Sequence, residues 1–174
     1  MALRQILTEP NKILREKSLP VDMVDLEVQK LMDDMLETMY AAPGIGLAAI
    51  QIGIPKRIIV LDIAPKDGPK NPMFFANPEI IEKSENDTTY EEGCLSVPGQ
   101  FAEINRPDKC HIKYLDYHGQ PKEIKAEGML ATCIQHEIDH LEGILFIDYL
   151  SKLKKTMIIK KLSKQKKVIE RIVV

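Results

Sequence analysis

At 174 residues the chain is long enough to bury a core in one domain without disulfides or structural metals. Hydrophobic residues make up 44% and charged residues 29%, a balance that excludes a disordered chain and a membrane-embedded one. The formal net charge of -2 conceals a division: residues 151–174 carry nine Lys or Arg against Glu170 alone, so that segment is +8 and the remainder -10.

The N-terminal MALRQILTEPNKILREKS contains no apolar stretch of signal-peptide length and mixes acidic with basic residues, so a cytoplasmic protein without a targeting segment is expected. Cys94, Cys110 and Cys133 are odd in number and unevenly placed, which argues against a disulfide framework. Cys110 and Cys133 read as small buried hydrophobes. The sign separation points to an acidic partner such as RNA, with neither membrane nor DNA indicated, while the plainer reading of the lysines is a solvated helix face.

In chain order, Val28, Leu31, Met32, Met35, Leu36 and Met39 recur at helical spacing from Asp25 until Pro43-Gly44, predicting a first amphipathic helix. GIGLAAIQIGIP reads as an apolar loop, residues 57–63 (RIIVLDI) as a strand, and 64–72 as a loop. MFFANPEIIEKSE and the segment around TTYEEGCLSVP read as short strands interrupted by Pro and Gly. HIKYLDYHGQPKEIKAEG alternates apolar and polar positions on both sides of Gly119, a hairpin pattern. Met129 to Leu141 predicts a helix bounded by Gly128 and Gly143. The basic tail, with Leu153, Met157, Ile158, Leu162, Ile169 and Ile172 among its lysines, predicts a last helix. The strands are antiparallel candidates between flanking helices, without regular strand-helix alternation. The expected class is therefore α+β, with antiparallel sheets around a central helix, in one domain spanning 1–174.

That central helix carries HEIDH. His136 and His140, four residues apart, share one face about 6 Å apart along the axis, where both imidazoles reach one ion. Glu137 beside them is placed to take a proton from water and return it to a departing amine. A third ligand is missing downstream, where Phe146 stands in place of a histidine and no Glu occurs between Gly143 and Gln165; Asp148 is a weak option. Cys94, upstream in EEGCLSVPG, is the better candidate, and two His with one Cys leave an open position of catalytic type.

Three separated segments, GIGLAAIQ (44–51), EGCLSVPG (92–99) and QHEIDHLEG (135–143), resemble in order and spacing the signature motifs of the peptide deformylases. The resemblance covers nearly the whole chain. It implies hydrolytic removal of the formyl group from N-terminal formyl-methionine of nascent polypeptides. It further implies Cys94, His136 and His140 as metal ligands and Glu137 as catalytic acid and base, with Gln51 and the Leu95 backbone N–H holding the formyl oxygen. The implied ion is Fe2+, with Zn2+, Ni2+ or Co2+ compatible with the ligands. Met129, Thr132 and Cys133 lie seven, four and three residues before His136 and share its face, suiting them to receive a methionine side chain. Gly44 and Ile45 would form the opposing wall, and Gly44 or Gly46 would allow close approach of the substrate backbone. Arg106 matches a position that pairs with Glu92. Gln100-Phe101 departs from the Arg or Tyr of many members, so peptide contacts beyond methionine are expected to differ. The basic C-terminal helix would then contact the ribosome, where nascent chains emerge. Two competing readings are a general HExxH zinc endopeptidase and a non-enzymatic Cys2His2 zinc domain built from Cys94, Cys133, His136 and His140.

Overall fold

Asp25 opens the first helix by accepting the Val28 N–H at 2.9 Å, an N-cap that starts α1 (Leu26–Ala41). Val28, Leu31, Met32, Met35 and Met39 form its buried stripe, as their spacing predicts. Asp34 is buried on the same helix and accepts Arg4 Nε at 3.0 Å, Arg4 Nη2 at 2.6 Å and the Ala2 N–H at 2.7 Å, which ties the N-terminal segment down. The structure is a computed structural model; it describes residues 2–172, with side chains through Val168, so the side chains of Ile169 and Ile172 lie outside the described residues.

Five antiparallel strands form the main sheet: β1 (Gly46–Ala48), β2 (Ile58–Leu61), β3 (Met73–Lys83), β6 (Lys109–Leu115) and β7 (Pro121–Glu127), in that spatial order. Both faces are covered, and β2 shows why its sequence is apolar throughout. Ile59 and Leu61 face one core with Phe75, Ile112, Ala131, Ile134 and Ile138, whereas Ile58 and Val60 face another with Met32, Met35 and Met39. The first core seats α2 (Gly128–Leu141), and the second seats α1. The strands between, β4 (Asp87–Cys94) and β5 (Val97–Pro107), pair only with each other. This hairpin packs through Val97 and Ile104 on Leu145, Phe146, Ile147 and Leu162, where a 3-10 turn (Phe146–Tyr149) leads into α3 (Lys152–Ile172). Helix α2 contacts both the main sheet and the hairpin. This is the α+β arrangement around a central helix that the sequence predicts.

Two local readings change, and one holds. The stretch read as a loop holds β1 and a 3-10 turn at Ala49–Ile52. Strand β3 continues through Pro78 because a bulge between Ala76 and Glu79 absorbs the missing donor, with Asn77 at φ 49° and its amide bonded at 2.8 Å to both the N–H and the C=O of Val21. The hairpin at Gly119 forms with the glycine at φ 76°. Among the described residues no helix is long and apolar enough to cross a membrane.

Candidate metal centre

Strand β4 delivers Cys94 at its last position, and α2 delivers His136 and His140 one turn apart. One ligand atom from each lies within 4.8 Å of the others, and Cys94 Sγ stands 3.3 Å from His140 Nε2. His140 is 1% exposed and Glu137 5%, so the centre sits in a low-dielectric interior.

A neighbouring carboxylate sets the His136 tautomer. Glu92 lies two residues before Cys94 on the same strand face, and its Oε1 accepts from His136 Nδ1 at 2.8 Å. Arg106 grips Glu92 in a fork, Nε to Oε2 at 2.7 Å and Nη2 to Oε1 at 2.9 Å. Burial alone would raise the Glu92 carboxyl; hydrogen bonds from His136 and Arg106 outweigh it and hold the group below the usual range. Glu92 is thus an ionised acceptor, so His136 carries its proton on Nδ1 and keeps Nε2 free as a donor to a metal.

Glu137 occupies space that a glycine leaves open. A Cβ at position 46 would lie 2.3 Å from Glu137 Oε1 and 2.8 Å from Leu61 Cδ2. Burial pushes the Glu137 carboxyl up to about 7, despite His136 pulling it down, which suits proton exchange at neutral pH. Its Oε2 is buried without a hydrogen-bond partner among the described residues. One sulfur and two imidazole nitrogens converging beside that unpaired carboxylate oxygen fit a single divalent ion with an open position.

A cavity of about 450 Å³ opens in front of Glu137 and His136. Gly44, Ile45 and Gly46 line it, together with Met129, Thr132 and Cys133 from α2. Ile45 and Met129 are half-exposed at the rim. Cys133 lies outside the three converging donors, and burial, assisted by the Glu137 carboxylate, pushes its thiol up to about 12. A closed Cys2His2 site is therefore not what these residues build. Asp148 is also outside the centre, paired with Arg15 Nη1 and Lys155 Nζ at 2.6 Å each.

Gln51 lies at the cavity with its amide fixed at both ends. Its Oε1 accepts the Ala48 N–H at 2.8 Å, while Nε2 donates to Ser96 Oγ at 3.1 Å and faces Cys94 Sγ at 3.5 Å. Leu95 follows Cys94 in the two-residue connection to β5, and its side chain fills the space beside Gly44. Phe101, expected to bear on peptide contacts, lines the cavity, as do Tyr90, Glu91 and Pro98, which were not foreseen; alternation back from Cys94 along β4 is the signal for Tyr90 and for the Glu92–His136 bond.

A family model described as polypeptide deformylase matches residues 3–156. The peptide deformylase of Pelagibacter ubique is 66% identical over 95% of this chain and 96% of its own length, and that of Maricaulis maris is 59% identical over 96% of each. Among solved structures, the peptide deformylase of Ehrlichia chaffeensis superposes with a TM-score of 0.91 at 43% identity, covering 96% of this chain and 98% of that one. A second structure of the Ehrlichia enzyme, in complex with actinonin, gives 0.91 at 45% identity over 95% and 98%. With this likeness spanning nearly its whole length, the chain belongs to the polypeptide deformylase family.

Proposed function

We propose that hydrolysis of N-terminal formyl-methionine to formate and a free amine is carried out here by Glu137, with Gln51 and the Leu95 N–H, around an ion held by Cys94, His136 and His140. The ion would supply Lewis acidity, lowering the pKa of water and polarising a carbonyl. Glu137, at about 7, takes the proton of the attacking water and passes it to the departing amine. The Gln51 amide, its orientation set by Ala48 and Ser96, and the Leu95 N–H donate to the oxygen on which charge develops, worth about 3 kcal/mol per fixed donor. The methionine side chain enters between Met129, Thr132 and Cys133 on one side and Gly44 and Ile45 on the other.

The observation that carries this reading is the unpaired, buried Oε2 of Glu137 on the cavity lining beside the three converging ligands. Formyl-Met-Ala-Ser, acetyl-Met-Ala-Ser and an internal Met-Ala bond test it: only the first is expected to react, releasing formate. Cleavage of all three at similar rates would instead establish an endopeptidase.

Fe2+ is the ion we assign in the cell, since a thiolate with two imidazoles accommodates it as well as Zn2+, Ni2+ or Co2+. Metal analysis of anaerobically prepared protein, paired with formate release, decides among them. The 174 residues act as one catalytic domain in the cytoplasm, where nascent chains are made, and residues 151–174 serve as a basic arm that contacts ribosomal RNA. Lys154, Lys161 and Lys164, exposed along α3, support this contact. Salt-sensitive co-sedimentation with ribosomes is its measurement.

A further inference from the structure

Arg106 is 3% exposed yet meets two carboxylates. Its fork holds Glu92, and its remaining nitrogen, Nη1, donates to Asp139 Oδ2 at 2.8 Å. The same Asp139 oxygen accepts the Tyr149 hydroxyl at 2.7 Å, and the guanidinium carbon lies 4.9 Å from the centre of the Tyr149 ring. From the same turn Phe146 stacks on His136, with ring centres 6.3 Å apart and planes 24° from parallel. All these contacts converge on one imidazole.

We propose that Asp139 and Tyr149 are positioning residues for His136, acting through Arg106 and Glu92, so that the turn entering the C-terminal helix governs how firmly the centre holds its ion. The inference rests on His136 being a metal ligand.

Charge explains the need. With Arg106 and Glu92 alone, the guanidinium would engage the carboxylate fully and leave little negative charge for the His136 Nδ1–H. Asp139 adds a second carboxylate, so the trio carries one net negative charge. Glu92 then remains a strong acceptor, and a strong acceptor on Nδ1 makes Nε2 a better donor to a cation. Tyr149 fixes the Asp139 oxygen with its hydroxyl and sets its ring beside the guanidinium. Burial, assisted by Asp139, pushes the Tyr149 phenol up to about 12, so it remains a donor at neutral pH.

The experiment compares the full-length zinc-loaded protein with D139N, Y149F and, as a ligand control, H136A. Zinc affinity is read by competition with a chromophoric chelator, the His136 Nδ1–H by its proton resonance, and stability by thermal unfolding. D139N is expected to weaken zinc binding about 10-fold, the lower end of what partners directly behind a ligand contribute, and Y149F, one contact further out, about 3-fold. In both, the Nδ1–H resonance should move upfield as its bond to Glu92 weakens. Unchanged affinity and an unmoved resonance, even with a lowered unfolding temperature, would make the pair merely structural and overturn the proposal. Y149F keeps the ring and every charge, so it decides the matter if D139N fails to fold. H136A separates the two levels: zinc held as tightly without His136 would overturn the ligand assignment itself, and the proposal with it.

Discussion

Helices α2 and α3 are both amphipathic in sequence, yet they solve opposite problems. Ten of the fourteen α2 residues are buried, among them Thr132, Gln135, His136, Glu137 and His140; Glu92 meets His136 and the Pro107 carbonyl meets Gln135, while Thr132 Oγ1, Glu137 Oε2 and His140 Nδ1 have no hydrogen-bond partner among the described residues. In α3 only Leu162 is buried among the described side chains, and its lysines lie in solvent apart from Lys155, which pairs with Asp148. A charge in α2 acts at low dielectric and is little screened, whereas one in α3 acts within about a Debye length and is weakened by salt. Chemistry belongs to the first helix and electrostatic attraction to the second.

The sharpest way to break this contrast is Glu137→Gln. It should lower kcat about 1,000-fold while zinc content and unfolding temperature stay near wild type, because a general acid–base group typically contributes a factor of this order. Formate release and metal analysis on one preparation check both halves. Next in size is Arg106→Met, which leaves Glu92 buried without its cation and should cost about 3–5 kcal/mol in urea unfolding.

Acid should release α3 before α2. Burial raises the Asp148 carboxyl, but Lys155 and Arg15 outweigh it and hold the group below the ordinary aspartate range. The stability it contributes is therefore complete above about pH 4, the unfolded value, and is lost as pH falls through the lower folded one. Amide exchange across residues 152–168, followed from pH 5 downward, should show protection falling there first. The smallest effect is expected from K154E/K161E/K164E. Turnover of a formyl tripeptide should remain within about 2-fold and each change should cost under about 0.5 kcal/mol, while ribosome co-sedimentation falls away.

Sequence pattern reached the elements whose burial is one-sided and regular. The α1 stripe from Val28 to Met39, the hairpin at Gly119 and the HEIDH face all follow from periodicity. Strand β5 did not, because VPGQFAEINRP holds two prolines and several charged or polar residues and buries only every few positions against the turn below it. Cys94, His136, His140 and Glu137 were singled out from spacing and motif, and the structure brings the Cys and the two His to one point beside Glu137. The partners behind them were less so: Glu92–His136 had a signal in strand alternation. Asp139, Arg106 and Tyr149 meet only through the fold, from helix, strand and turn, with no local pattern to link them.

Gly46 carries a different kind of consequence. A methyl group there would press first on the tip of Glu137, a flexible side chain that can swing aside, and only secondarily on Leu61. An alanine variant is expected to lose turnover through the displaced Glu137 and, because the buried Leu61 must also give way, to lose about 1–3 kcal/mol of stability. Position 46 thus couples the packing of β1 to the placing of the Glu137 carboxylate, and a side chain there is felt by both.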